Sequence, residues 1–289
     1  MSETLYISDL DGTLLDSDAR LPRETAQKIN FLLRLGVRIT FATARTSRSV
    51  VQILSDIDFS LPAAAPVALM NGVLIRDMNS GEYISSAVIE RKTAEEVYSR
   101  LIEKGAEPYI YTVCDTEYEG DALRTYYRNI SCPAMRSFLD ERVERYSKPF
   151  FKICDFYEVI GDVVYFCVLG EEKTIKEAYA SVSEISSLNS AVYRDSYNRS
   201  VWYLEIFSCN ASKRHAVRFL RTFTGADEIV CFGDNINDIP MFEESDRAVA
   251  VENAVAEAKN AADEVCRNVA DYIEKDSAVR RKIELSFFN

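Results

Sequence analysis

Asp9 and Asp11 stand two residues apart, directly after the short apolar run Leu5 to Ser8 and directly before Gly12 and Thr13. Where a strand runs out into a loop, positions i and i+2 point to the same side, so both carboxylates can face one small volume. Gly12 lets the backbone turn sharply away. The position suits a reactive carboxylate, although Asp-Gly is also common turn chemistry. A second acidic cluster, Gly233 to Asp238 (GDNIND), follows the apolar run Ile229 to Phe232 and shifts the balance toward chemistry. Between the two clusters in sequence lie Thr43, Ala44 and Arg45, after the run Val37 to Ala42, and Lys213, which opens the amphipathic stretch Lys213 to Phe223. Each polar group stands where a strand meets a loop or a helix begins. Open α/β sheets bind ligands at the carboxyl ends of their strands, so four such elements aimed at one edge make a site.

The order of these pieces resembles the haloacid dehalogenase-like phosphohydrolases, and within them the Cof-type group with a class IIB cap. DLDGT at 9–13 resembles motif I, Thr43 motif II, Lys213 in the stretch ASK motif III, and GDNINDIPMF at 233–242 motif IV. Asn71 with Gly72 and AVENA at 250–254 continue the likeness. It covers the two outer thirds of the chain by motif and the middle third by size and position.

The resemblance implies a magnesium-dependent phosphatase acting on a small phosphorylated metabolite, with sugar phosphates as the expected class. It implies Asp9 as nucleophile and Asp11 as general acid and base. The metal would be held by the Asp9 side chain, the Asp11 backbone carbonyl and the Asp234 side chain, with Asp238 in or just behind that set. Lys213, the Thr43 hydroxyl, the Ala44 N–H and the Asn237 amide would hold phosphate oxygens and the phosphoenzyme. Magnesium prefers oxygen ligands, and a pocket without cysteine or histidine disfavours zinc.

Taken singly, these residues have plainer explanations. Thr43 could cap the helix at Ser47, Lys213 could face solvent, and Asn237 with Asp238 could cap the next helix. Arg45 stands open between a salt bridge and a phosphate contact. Three departures from the family pattern bear on loop shape and substrate fit: Ala44 replaces a glycine, Glu252 replaces the glycine before Asn253, and the stretch Asn268 to Ala270 is shortened. A phosphomutase or phosphotransferase with the same four motifs is an alternative reading, as is a sugar-phosphate-binding regulator with little turnover.

Composition narrows the field. At 289 residues, 47% of them apolar, the chain can build substantial cores, and no run approaches a membrane span. A net charge of −12 argues against nucleic acid and anionic membrane as partners, but not against a small phosphate met by local cations. The acidic N-terminal stretch, with a candidate nucleophile already at position 9, argues against a cleavable leader. Seven cysteines without CxxC spacing read as small apolar residues in a reducing compartment, which points to the cytoplasm. The single histidine, His215, excludes HExxH and His-rich metal sites and reads as a helix-surface or packing residue. Oligomeric state stays open.

The fold class expected is α/β: a Rossmann-like parallel-sheet core with helices on both faces and an inserted α+β cap. The segments are 1–82 (core), 83–207 (cap) and 208–289 (core). In the core, strands alternate with a helix from Pro22, at its first position, through Ala26, Ile29, Leu32 and Leu33 to a stop at Gly36, and a helix over Ser47 to Leu54. The middle segment reads as tyrosine-rich or β-branched strands with two helices, Thr93 to Lys104 and Glu171 to Ile185. Ala278 to Asn289 reads as a short terminal helix.

Overall fold

The computed structural model describes residues 3–195 and 198–277. In chain order the elements are β1 (Thr4–Ser8), α1 (Arg23–Arg34), β2 (Arg38–Phe41), α2 (Ser47–Ile53), β3 (Val67–Leu69), β4 (Leu74–Arg76) and β5 (Tyr83–Ser86). There follow α3 (Arg91–Glu103), β6 (Pro108–Tyr118), β7 (Asp121–Tyr127), α4 (Pro133–Tyr146), β8 (Phe151–Lys152), β9 (Asp162–Gly170), α5 (Glu172–Val182), β10 (Leu188–Arg194) and β11 (Trp202–Ser208). The last group is α6 (Lys213–Thr224), β12 (Glu228–Gly233), α7 (Ile239–Phe242), β13 (Arg247–Val251), α8 (Ala256–Ala261) and β14 (Glu264–Cys266). A further helix covers 269–277. The expected helix at Ala278 to Asn289 lies outside the described residues.

The chain divides into two compact units, one made of the described residues up to Ile84 and from Ser212 onward, the other of Ser85–Ala211. In the first unit a parallel sheet runs β14-β13-β12-β1-β2. The central strands are apolar on both faces, as a sheet covered by helices requires: Leu5, Tyr6, Ile7, Ile229, Val230, Cys231 and Phe232 are all buried. Ser8 is in register with both Phe232 and Phe41, so β12, β1 and β2 end side by side. Helix α1 buries Ala26, Ile29, Leu32 and Leu33 on one stripe. Pro22 stands one place before the helix, with ψ 134°, and Arg23 is its first residue. This corrects the expectation for Pro22, whose extended ψ precedes the first helical turn.

In the second unit a six-stranded sheet runs β10-β11-β9-β6-β7-β8. Its pairings are antiparallel except β7 with β8. Helices α3 and α5 bury Val97, Leu101, Ile175 and Ala178 with Ile110, Phe166, Val168, Leu204 and Ile206 of the sheet, so this unit has its own apolar core. Alternation along the strands puts Tyr109, Tyr111, Tyr165, Cys167 and Tyr203 on the other face. There Tyr109 stacks on Phe138 of α4 with ring centroids 5.0 Å apart. Helix α4 is a third helix where the sequence reading had two. Only Met135 and Phe138 of its residues are buried, so it carries almost no apolar stripe to read.

Candidate active site

The backbone brings the site together before any side chain is considered. The Asp9 N–H donates to the Phe232 carbonyl and the Ala42 N–H to the Ser8 carbonyl, both at 2.9 Å, which clamps the carboxyl ends of β12, β1 and β2. The Thr43 N–H donates to Ala68 O at 2.9 Å, and Asn71 N–H returns to Thr43 O at 2.9 Å. Met70 and Asn71 take left-handed φ values of 51° and 56° to make that turn. Gly12 and Gly72 are required by close approach. A Cβ on Gly12 would lie 2.3 Å from Asp234 Oδ2, and one on Gly72 2.3 Å from the Ser212 carbonyl oxygen.

Asp9 is buried just past the end of β1, and Lys213, the first residue of α6, reaches it. Lys213 Nζ donates to Asp9 Oδ1 at 2.5 Å and to Asp238 Oδ1 at 2.6 Å. Asp238 Oδ2 accepts from the N–H groups of Asp234 (2.9 Å) and Asn235 (3.0 Å), completing a capping box over the 3₁₀ turn Ile236–Asp238. Asp238 is therefore the N3 member of a box whose N-cap is Asn235, with no side-chain cap to α7 of the kind the plainer reading allowed, and it is also the second partner of the lysine. Asp234 Oδ1 accepts from the Thr13 hydroxyl at 3.0 Å. Asp9, Asp234 and Asp238 each offer a carboxylate oxygen within 4.8 Å of the other two. Asp11 is not in that group. Its carboxylate is half-exposed and is gripped by Arg45, with Nε 2.6 Å from Oδ2 and Nη2 2.5 Å from Oδ1.

The remaining expected residues lie at the same strand ends with looser ties. Thr43 is buried, and its hydroxyl accepts from the Arg45 N–H at 3.2 Å. It does not cap α2, whose N-cap is Thr46. Ala44 is exposed and its φ lies outside the positive range, so alanine in place of glycine carries no backbone strain. The exposed Asn237 amide reaches Asn71 Oδ1 at 3.5 Å. His215 serves the helix start: its N–H donates to Ser212 Oγ at 3.1 Å, and its Nδ1 lies 2.8 Å from the same oxygen. Asn253, two residues into the loop after β13, donates from Nδ2 to Gly12 O at 2.7 Å. The sequence reading gave no role to the Asn253, Thr13 and Ser49 side chains. Thr13 stands in DLDGT and Asn253 in AVENA, but their contacts span long stretches of chain; no motif marked Ser49, whose partner Arg45 is four residues away.

Burial pushes the Asp9 carboxyl up to about 7, Lys213 pulls the other way, and Asp238 and Asp234 add to the rise. For Lys213 burial acts against the charge, but Asp9 and Asp238 outweigh it and raise the ammonium above its ordinary value. Burial, then Asp238, also raises Asp234. Three carboxylates facing one ammonium leave two negative charges in excess, held by hard oxygen donors with no histidine or cysteine in the group. A divalent, oxygen-preferring cation such as magnesium fits that donor set and that charge.

The sequence matches the haloacid dehalogenase-like hydrolases over residues 6–272. The chain belongs to that family. It is an enzyme, a phosphatase of the family. A Haemophilus influenzae relative is 28% identical over 263 residues, which span 89% of this chain and 90% of its own length. The 5-amino-6-(5-phospho-D-ribitylamino)uracil phosphatase YwtE of Bacillus subtilis (strain 168) is 23% identical over 266 residues, 87% of this chain and 88% of its own. The solved structure of the HAD subclass IIB sugar phosphatase BT4131 shares the fold, with TM-score 0.65 at 18% identity, covering 95% of this chain and 99% of that one. Among the described residues of this haloacid dehalogenase-like phosphatase, no helix is long and apolar enough to cross a membrane.

Proposed function

We propose that this phosphatase hydrolyses a small phosphorylated metabolite of the sugar-phosphate class, with magnesium as cofactor, through an aspartyl phosphate on Asp9. The observation that carries the reading is the state of Asp9. Its carboxylate is buried, one oxygen is fixed by Lys213, and the other has no protein donor among the described residues. Asp9 and Asp234 would hold the cation with the Asp11 backbone carbonyl, and Asp238 would stand behind them. When bound, the cation offsets the repulsion between an anionic nucleophile and an anionic phosphate.

In the first step the free Asp9 oxygen forms a bond to phosphorus while the bond from phosphorus to the leaving oxygen breaks, and the Asp11 carboxyl gives that oxygen a proton. In the second step Asp11, now a carboxylate, takes a proton from water as the water oxygen bonds to phosphorus and Asp9 leaves with its electron pair. Lys213 keeps its charge throughout and holds Asp9 in line. The Thr43 hydroxyl, the Ala44 N–H and the Asn237 amide would hold the phosphate oxygens. All these residues belong to the first unit. The second unit would serve as a cap that gates entry and selects the group carrying the phosphate.

The names of the relatives support the substrate class, since one is a sugar phosphatase and another acts on a phosphorylated ribitylamino compound. All seven cysteines are unpaired, which supports a reducing compartment such as the cytoplasm. The test is phosphate release from a panel of phosphorylated sugars and polyols, with magnesium and with a chelator. Magnesium-dependent release from members of the panel is expected. Release that is unchanged by the chelator would contradict the cofactor, and no release from any member would contradict the substrate class.

A further inference from the structure

We infer that Arg45 is a positioning residue for Asp11, holding its carboxylate in the orientation that accepts a proton from water during breakdown of the phosphoenzyme. The inference rests on the proposed role of Asp11 and goes beyond it. Arg45 is itself held at several points. Its N–H donates to Thr43 Oγ1 at 3.2 Å, its carbonyl accepts from Met70 N–H at 3.0 Å, and its Nη1 donates to the buried Ser49 hydroxyl at 3.0 Å. The guanidinium then presents Nε and Nη2 to the two oxygens of Asp11 at 2.6 and 2.5 Å. A two-bond fork fixes the plane of a carboxylate as well as its position, which a single ammonium cannot do.

Asp11 lies outside the cluster formed by Asp9, Asp234 and Asp238, although its charge still acts on Asp234. With one lone pair on each oxygen facing the fork, the remaining lone pairs are left to accept a proton. The second step has that requirement: the water proton passes to an Asp11 oxygen, the water oxygen bonds to phosphorus, and the bond from phosphorus to Asp9 breaks. In the first step, a substrate with a good leaving group such as p-nitrophenyl phosphate releases p-nitrophenolate without needing a proton. Loss of the fork should therefore slow the second step selectively.

The test is rapid-mixing kinetics with p-nitrophenyl phosphate and magnesium on the full chain. Arg45→Met should show a burst of p-nitrophenolate approaching one per site, followed by steady turnover slowed about 10- to 100-fold, the scale at which small misplacements cost rate. Arg45→Lys, which keeps the charge but not the fork, should behave like Arg45→Met. Ser49→Ala, which loosens the guanidinium, should show a weaker form of the same burst and covers a folding failure at position 45. Asp11→Asn should show the burst in full, and adding Arg45→Met to it should slow turnover no further. Full rescue by Arg45→Lys, a rise in KM alone, a slowed burst, or an additional loss in the double variant would each overturn the inference while leaving the role of Asp11 intact. A missing burst in Asp11→Asn would instead overturn that role, and the inference with it.

Discussion

Lys213 Nζ lies 2.5 Å from Asp9 Oδ1 although 204 positions separate the two residues in sequence, and both are buried. The ammonium also bonds Asp238 at 2.6 Å, so one buried cation satisfies two buried carboxylates. Removing it strands both charges. Lys213→Met is expected to lower stability by about 3–5 kcal/mol, the scale for breaking a buried ion pair from one side. Urea denaturation checks this, and a midpoint within error of the parent would show that the pairing contributes nothing.

The raised Asp9 carboxyl gives a pH dependence whose sign can be worked out. Unfolded, Asp9 titrates near 3.8, and in the folded metal-free protein near 7. Between those values the folded state binds more protons than the unfolded state, so the stability Asp9 contributes is present in acid and is lost as pH rises through about 7. Asp9→Asn removes the cost of a buried charge. At pH 8 without metal its Tm should exceed the parent's by about 5 °C, and the gap should close toward pH 4. Magnesium should narrow the gap at pH 8 by favouring the ionised carboxylate. Thermal melts across pH with and without metal check this, and a gap that grows toward acid would refute the sign.

Gly12 and Gly36 make an internal comparison. Both have positive φ, 78° and 82°, but a Cβ at Gly36 meets open space whereas one at Gly12 meets Asp234 Oδ2 at 2.3 Å. Both alanine variants should lose about 1–2 kcal/mol for the left-handed backbone. Gly12→Ala alone should also weaken magnesium dependence and lower turnover by roughly tenfold or more, because the clash displaces a proposed metal ligand. Magnesium titrations of activity in the two variants check this. Equal kinetics would remove Asp234 from the proposed metal set.

The parts of this structure that were legible in sequence are those whose burial is continuous. Leu5 to Ser8 and Ile229 to Phe232 lie within β1 and β12, which extend at most a residue or so further at either end, because central parallel strands must be apolar on both faces. The second unit was less legible. Strands β7 and β10 mix polar and apolar residues, β8 has two residues, and α4 buries little. Tyr126 shows the limit from another side. A tyrosine in a strand can face either way, and this one is buried in the core beneath α3 and α5. At the site, residue types were legible at Asp9, Asp234 and Lys213, whereas pairings were not. Arg45 with Asp11, and Asn253 with Gly12, depend on how distant loops meet.

The second unit's own core motivates a prediction about selectivity. Replacing residues 85–211 by a short Gly-Ser linker should leave hydrolysis of acetyl phosphate measurable while removing most of the preference among sugar phosphates. Ratios of kcat/KM across a substrate panel check this. Preferences retained after the deletion would show that selectivity resides in the first unit.

The central claim is that phosphorus becomes bonded to Asp9. The direct measurement is acid quenching of the magnesium-loaded enzyme within its first turnovers on a phosphate-labelled substrate, followed by peptide mapping of the labelled protein. The account predicts label on the peptide containing Asp9, lost in alkali as an acyl phosphate is, and absent from Asp9→Asn, whose turnover should fall roughly 10³-fold or more. Label on a different residue, or an Asp9→Asn protein that folds and turns over at the parent rate, would contradict it.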